Sequence, residues 1–166
     1  MAKRLVADKK ERGQSLAELA ISLTFLLILV GGIIDLGRMF FTYITLRDAA
    51  QEGASYGSYA CAQEGGSGDC IKGPTFINNV KTRVRQSSQG NGSIVDLTNW
   101  PLNQITVTMT THNGNAYPCS GDEITVKVQD PNFDITMPFI GAFIGQQILI
   151  QSTASDVILA PACPTP

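Results

Sequence analysis

Charged residues are absent from one long stretch of this sequence. No Asp, Glu, Lys or Arg lies among the sixteen residues between Glu18 and Asp35, and nothing later in the chain is comparably apolar. A helix of that length rises about 24 Å, and the uncharged residues on either side extend it to the thickness of a bilayer core, about 30 Å. The sequence therefore predicts a membrane-spanning helix at about residues 16–37.

Proline is absent from residues 14–59, so no imino acid interrupts a helix there. Apolar residues continue beyond the predicted span, for example at Phe40, Ile44 and Leu46. We therefore expect one long helix over residues 14–59, with its first part in lipid and its second part packed on a soluble domain. Five glycines weaken such a helix in water and allow a kink: Gly31, Gly32, Gly37, Gly53 and Gly57.

Basic residues are scarce after the first thirteen positions. Residues 1–13 hold five basic and two acidic residues, whereas the chain from Gln14 onward holds seven basic and twelve acidic ones. Basic segments next to a membrane helix tend to stay in the cytoplasm. The sequence therefore predicts a single-pass protein of the cytoplasmic membrane, with its N-terminus inside and its bulk outside, in contact with the lipid bilayer. The acidic balance of that bulk argues against a nucleic-acid partner.

Histidine occurs once, at His112, and no CxxC or Cys/His spacing is present, so we predict neither a metal site nor a cofactor. Residues 53–57 match the Gly-x-Ser-x-Gly form of a hydrolase nucleophile elbow, with Ser55 as the nucleophile. That elbow requires a strand before the serine and a helix after it, whereas here a helix precedes Ser55 and a glycine-rich loop follows. We therefore do not expect an enzyme.

Four cysteines lie in the part of the chain that we expect outside the membrane: Cys61, Cys70, Cys119 and Cys163. An even number of cysteines in an oxidising compartment indicates two disulfides, with three connectivities open. We favour Cys61 with Cys70, because only a short glycine-rich loop separates them, which leaves Cys119 with Cys163. Four free thiols are the alternative.

Residues 60–166 predict a small disulfide-containing α+β head. Apolar residues recur with helical spacing over residues 75–86, on a short amphipathic helix whose basic residues face solvent. Alternating apolar residues then predict antiparallel strands at 105–109, at 124–128 and from Ile148, with a fourth segment at 133–137. Turn residues separate the first two strands at Asn113-Gly114 and at residues 120–122. We expect the long helix to cover the apolar face of this three- to four-stranded sheet.

Gly13 is followed by Gln14-Ser15-Leu16-Ala17-Glu18 and then by the uncharged stretch, with a basic leader in front. This arrangement resembles the processing site of type IV pilin-like precursors. Two further segments, residues 32–38 and 49–54, extend the likeness over residues 12–58. The chain resembles the TadE-like minor pseudopilins of tight-adherence (Flp/Tad) pilus systems. At Gln51 it departs from the arginine that these proteins often carry.

The resemblance implies a pilin-like fold and a structural function, in initiation, capping or regulation of pilus assembly. A prepilin peptidase would remove the leader, residues 1–13, by cutting between Gly13 and Gln14. Glu18 would then be the fifth mature residue and would meet the terminal amine of a neighbouring subunit. The implied partners are the peptidase, other pilin and pseudopilin subunits and the inner-membrane assembly platform, and the destination is a surface pilus.

Asp35 and Arg38 lie three residues apart, on one face of the predicted helix, where they can form an ion pair. The same two charges are also candidates for contacts with adjacent subunits at the outer membrane boundary. The alternative to a processed pseudopilin is an uncleaved single-pass surface protein, whose extracytoplasmic head binds a partner.

Overall fold

The computed structural model describes residues 4–63, 74–88, 95–111, 118–137, 141–142, 145–160 and 162, without the side chains of 4–12 and 61–63. The layout is α+β, as predicted. Its elements are helix α1 (Arg4–Gln63), helix α2 (Pro74–Gln86), a short 3-10 helix (Leu102–Gln104) and strands β1 (Ile105–Met109), β2 (Glu123–Asp134) and β3 (Gln147–Val157). The chain divides into two compact units: Met1–Arg38 with Asp134–Gln146, and Met39–Phe133 with Gln147–Pro166.

Helix α1 extends beyond the predicted bounds at both ends, because it includes residues 4–13 and 60–63. The first of these extensions contains no proline and is rich in Lys, Arg, Glu, Leu and Ala, all of which favour helix. None of the five glycines ends the helix. A single glycine destabilises a helix by only about 1 kcal/mol relative to alanine. Tertiary contacts or a membrane readily offset this loss.

The first unit displays the apolar part of α1. Every large apolar side chain of α1 from Leu16 to Leu36 is exposed, for example Ile21 at 73% and Leu27 at 62%. Among the described residues, one helix is long and apolar enough to cross a membrane. This exposure is consistent with a single-pass membrane protein, because lipid can cover an apolar surface of this size.

The second unit has a continuous apolar core in which the C-terminal part of α1 packs on α2 and the sheet. Leu46, Ala50 and Ala54 of α1 are buried there. The other contributors to this core include Phe76, Val80 and Val84 of α2, Ile124, Val126 and Val128 of β2, and Ile150 of β3. The predicted covering of the sheet by the long helix is thereby confirmed for this unit.

Two glycines of α1 are contact points for the other elements of the second unit. A Cβ placed on Gly53 would overlap Val84 Cγ2 and would lie 3.3 Å from Val126 Cγ1. A Cβ on Gly57 would overlap the Ile124 side chain. These glycines therefore let α2 and β2 approach the backbone of α1 closely, a gain that outweighs their low helix propensity.

The sheet has the order β1-β2-β3, and β1 pairs antiparallel with β2 in the register Ile105↔Val128 to Met109↔Ile124. The predicted fourth strand at 133–137 is wrong, because Phe133 and Asp134 are the end of β2. Pro131 lies within β2, between the predicted second strand and this segment. It lies beyond the part of β2 that pairs with β1, where a missing N–H does not break that ladder.

The turn before β2 forms as predicted. Gly121 has a φ of 97°, which glycine adopts readily. The Asp122 carboxylate is buried and accepts the Cys119 N–H at 2.8 Å, while Gly121 N–H donates to the Ile158 carbonyl oxygen at 2.9 Å. The turn is thus tied to the end of β3. The other predicted turn, Asn113-Gly114, lies outside the described residues.

Arg83 of α2 is exposed, as the sequence predicts for the basic residues of this helix, whereas Lys81 and Arg85 are half-buried, and all three have partners within the chain. Arg83 Nη2 lies 2.6 Å from Glu52 Oε1 of α1, and Lys81 Nζ donates to the Leu102 carbonyl oxygen at 3.0 Å. Arg85 Nε donates to the Trp100 carbonyl oxygen at 2.7 Å. Lys81 and Arg85 thus bind carbonyl oxygens of the segment before β1, while Arg83 links α2 to α1.

A second local contact stabilises the same segment. The hydroxyl and backbone N–H of Thr98 both donate to the Asp96 carboxylate, and they lower the pKa of that carboxyl group against a small opposing effect of burial. The Trp100 ring N–H donates to the Gln129 carbonyl oxygen at 3.2 Å. Trp100 therefore reports on the packing of the second unit.

We expect Gly53→Leu to destabilise the second unit by about 1–3 kcal/mol, because the new side chain must displace two stiff valines in a filled core. Gln51→Leu is the matched control, since Gln51 is exposed on the same helix. Urea unfolding of the full chain in detergent, followed by Trp100 fluorescence, measures the difference. Equal midpoints for the two variants would contradict the close contact at Gly53.

Candidate membrane and assembly site

Glu18 lies at the N-terminal end of the uncharged stretch, one helical turn after Gln14. Gln14 Nε2 donates to Glu18 Oε1 at 3.2 Å, and both residues are exposed. A carboxylate has about four acceptor positions, so one neutral amide leaves most of them for another donor. At this position in a membrane protein, Glu18 can accept a hydrogen bond from a cation on a neighbouring molecule.

Gly13 lies within α1 and is exposed. A Cβ placed on it would meet no atom within 4 Å, and the same is true of Gly37. Among the described residues, the space beside the Gly13 Cα is therefore open. Because the surrounding backbone is helical, a protease must unwind it to reach the peptide bond between Gly13 and Gln14, and glycine lowers the cost of doing so.

Asp35 and Arg38 form the ion pair that their spacing permits, with Arg38 Nη1 3.5 Å from Asp35 Oδ1. Asp35 is nevertheless buried, at 5% exposure, by a segment distant in sequence. The backbone N–H of Met137 donates to Asp35 Oδ2 at 2.8 Å, and that of Thr136 donates to Oδ1 at 3.4 Å. Both carboxylate oxygens therefore have partners within the chain.

Arg38 contacts the same segment, since its Nη1 also donates to Thr136 Oγ1. Its side chain remains 46% exposed, against 7% for that of Asp35. The two charges consequently differ in what they can do: Asp35 holds the segment after β2 in place, while the guanidinium of Arg38 still faces outward.

Three residues that the sequence does not single out complete this arrangement: Gly31, Thr136 and Met137. A Cβ placed on Gly31 would overlap the terminal methyl of Met137, so the methionine lies directly on the helix backbone. About one hundred residues separate the two partners, and no motif or periodicity links them. The apolar character of the segment after β2 was the only signal, and it does not specify where that segment packs.

The cysteines are only partly described. Cys119 is buried and disulfide-bonded. The structure does not describe which cysteine is its partner: Cys70 and Cys163 lie outside the described residues, and the side chain of Cys61 is not described. The pairings Cys61 with Cys70 and Cys119 with Cys163 stay predictions.

Ser55 lies in the middle of α1, with helix on both sides, so it does not form the strand-turn-helix of a nucleophile elbow. His112 lies outside the described residues. Ser55 instead lines an open, mostly polar groove of about 470 Å³ in the second unit, whose other lining residues include Arg47 and Gln51 of α1 and Thr153, Ser155 and Asp156 of β3. In the described part of the chain, no three His, Cys, Asp or Glu side chains are grouped to hold a metal ion.

Comparison with known proteins bears on the N-terminal part of the chain. Residues 13–55 match the model of a family described as TadE-like protein. The match begins at Gly13 and includes Glu18, Asp35 and Arg38. No curated protein and no solved structure matches the chain.

We expect Asp35→Ala to release residues 136–137, because two backbone N–H groups and Arg38 lose their acceptor. An unsatisfied buried donor costs about 1–3 kcal/mol, so amide exchange at Met137 should rise by roughly ten- to a hundredfold. Asp35→Asn keeps one acceptor oxygen and should give a smaller rise.

Asp48→Ala is the control, because Asp48 is an exposed acid on the same helix. Hydrogen–deuterium exchange of the full chain in detergent measures the protection of the segment. Unchanged exchange at Met137 in Asp35→Ala would show that the carboxylate does not hold it.

Proposed function

We propose that this chain is a TadE-like minor pseudopilin of a tight-adherence pilus system, which acts in initiation, capping or regulation of assembly. The match of residues 13–55 to the TadE-like family supports this proposal. The family suggests a Tad pilus-associated protein. The observation that carries the finer proposal is the coincidence of the family match with the exposed, uncharged part of α1. A helix that is apolar on all sides serves equally as a membrane anchor and as an element that packs among identical helices.

In this proposal a prepilin peptidase cuts the chain between Gly13 and Gln14. The basic leader keeps the N-terminus in the cytoplasm, and the peptide bond lies at the cytoplasmic edge of the span. The exposure of Gly13, and the open space that a Cβ placed on it would meet among the described residues, support access by such an enzyme. Cleavage creates an α-amine at Gln14, one turn from Glu18.

Glu18 is the proposed contact between subunits. An ionised carboxylate costs about 2.5–3.5 kcal/mol at the centre of a membrane helix, and less near the boundary, so an added positive charge stabilises it. The terminal amine of a neighbouring subunit supplies that charge when helices pack side by side. The single amide donor from Gln14 leaves the carboxylate available for this contact.

The proposed location is the cytoplasmic membrane, with the N-terminus inside, the second unit outside and subsequent incorporation into a surface pilus. Other pilin and pseudopilin subunits and the assembly platform are the proposed partners. The function is structural, and Arg38 is the second candidate for a contact with a neighbour, because its side chain is half exposed.

We expect Gly13→Ala to leave the precursor uncut in its native host, because the peptidase reads the residue before the cut. Gly37→Ala is the matched control: both glycines lie in α1, and neither added methyl meets another atom within 4 Å. Intact-mass measurement should therefore find the precursor mass for Gly13→Ala and the mature mass for Gly37→Ala. The same shortened chain in both variants would refute cleavage after Gly13.

We expect Glu18→Gln to be cut normally but to be lost from the pilus fraction, because the neutral amide no longer attracts the amine of a neighbouring subunit. Asp48→Asn removes one exposed acid from the same helix and serves as the control. Immunoblots of membrane and sheared-pilus fractions report the distribution. Equal incorporation of both variants would exclude Glu18 as the contact between subunits.

The second candidate function is an uncleaved surface protein whose extracytoplasmic part binds a partner. The polar groove between α1 and β3 is the observation that favours it, because it offers Arg47 and several hydroxyl groups on an open surface. The two functions differ in one measurement. A mature chain from the native host that still carries residues 1–13 supports the binder and contradicts the pseudopilin.

A further inference from the structure

We propose that the groove between α1 and β3 binds an extended segment of another protein, which joins the sheet as an additional strand antiparallel to β3 and places a carboxylate beside Arg47. The inference concerns only residues of the second unit. It names the kind of partner for the second candidate function, on whose groove it rests. It holds equally for a cleaved pseudopilin, because cleavage removes only residues 1–13.

Strand β3 lies at an edge of the sheet. The order is β1-β2-β3, so among the described residues β3 has a neighbouring strand on one side only. It is eleven residues long and holds no charged residue, proline or glycine from Gln147 to Ser155. Edge strands usually carry such residues or are short, as β1 is, because they otherwise pair with other strands. The outer side of β3 is therefore a suitable place for strand addition.

Backbone hydrogen bonds at the end of β3 show which of its groups point outward. Ile158 N–H donates to the carbonyl oxygen of Asp122, on the side of β2, whereas Leu159 N–H donates to the carbonyl oxygen of Ser58 in α1. Backbone groups alternate in direction along an antiparallel strand. The even-numbered residues of β3 therefore bond to β2, and the N–H and C=O groups at positions 151, 153 and 155 point away from it.

The groove lies beside these outward groups. Thr153 and Ser155 line it from β3, and Arg47, Gln51 and Ser55 line it from α1. All five residues are exposed. An added strand would bond to β3 through its backbone and would place alternate side chains in this volume of about 470 Å³. Because the lining is mostly polar, we expect small polar side chains on that face of the partner.

The charges of the groove favour one direction for the added strand. The residues of α1 and of β3 that line the groove both precede the contact of Ser58 with Leu159 in sequence. Helix α1 and β3 therefore run along the groove in the same direction, with Arg47 at the same end as Thr153. A strand antiparallel to β3 ends there, so its terminal carboxylate meets a cation. At the other end, Asp156 would repel a carboxylate.

Arg47 is suited to bind a carboxylate from outside the chain. It is exposed, and none of the described residues forms an ion pair with it. A second copy of β3 is a less suitable occupant, because its one acidic residue, Asp156, already accepts the backbone N–H of Val157 at 2.8 Å. The favoured partner is therefore a segment of a different protein, uncharged except for a carboxylate at its C-terminal end.

Peptides of defined sequence test the inference. The probe is acetyl-Thr-Val-Thr-Val-Thr-Val with a free carboxylate, because its β-branched residues favour an extended chain. One matched peptide has a C-terminal amide, and two others carry N-methyl groups on one or the other set of alternate residues. Each is added at millimolar concentration to the full chain in detergent. NMR then measures binding from amide shifts and the hydrogen exchange of individual amides.

We expect the acid probe to slow exchange of the outward amides of Thr153 and Ser155, with no effect on the amide of Ala154, which faces β2. The C-terminal amide should bind about tenfold more weakly, because hydrogen bonds to charged groups are stronger than those to neutral ones. N-methylation should abolish binding for only one of the two alternate sets, because an added strand turns every second N–H towards its neighbour.

Two variants of the chain test the charge. Arg47→Gln should remove the preference for the acid over the amide, whereas Lys127→Gln, which removes a cation that does not line the groove, should keep it. An acid preference that survives in Arg47→Gln, or unchanged exchange at Thr153 and Ser155, overturns the inference.

Two further outcomes contradict it. Equal effects of the two N-methylated peptides would exclude strand addition, and protection that rises with protein concentration alone would make a second copy the occupant. Leader cleavage is measured separately by intact mass, so a failure here and a failure of the proposed function are distinguishable.

Discussion

One constraint governs the N-terminal part of this protein: the helix that it forms between Leu16 and Leu36 has no polar side on which water can lie. Most surface helices of soluble domains bury one apolar stripe and solvate the rest. Here the large apolar side chains are exposed, so the helix needs apolar surroundings to cover them. Lipid meets this requirement, and so does a bundle of similar helices.

The same helix meets a different requirement in the second unit, where it must approach other elements closely. Two glycines allow this, because Gly53 and Gly57 face α2 and β2 without side chains that would hold these elements apart. The basic residues of α2 then join the surrounding segments through carbonyl oxygens and Glu52. Helix α1 thus carries bulky apolar residues where lipid can cover it, and it carries glycine where α2 and β2 approach it most closely.

Local patterns predicted much of the fold. The period-2 alternation of 105–109 and 124–128 identified two strands, and the helical spacing after Pro74 identified α2 to within one residue. These patterns succeeded because each element has one apolar face against a single core. The predicted fourth strand was wrong, because β2 continues beyond residue 128 to Asp134 as one strand.

Contacts between distant segments were not predictable in this way. The spacing of Asp35 and Arg38 indicated that they can form an ion pair. It did not indicate that the backbone N–H groups of Thr136 and Met137 donate to the same carboxylate. Lys81 and Arg85 look solvated in the sequence, because their acceptors are backbone carbonyl oxygens, which the residue types do not reveal. A glycine in a helical segment is equally uninformative, because its low helix propensity predicts a weak point in the helix and not a close contact with another element.

The charged residues of α1 differ in the partners that they have within the chain. Asp35 is enclosed by its own chain, so a neighbouring helix cannot reach it without displacing residues 136–137. Glu18 has only a neutral amide beside it and lies in the open. Arg38 has both an internal partner and an exposed side. Of the three charged residues in the family-matched segment that we considered for assembly, Glu18 therefore carries the free acceptor, Arg38 a reachable cation, and Asp35 the internal link that positions the connection after β2.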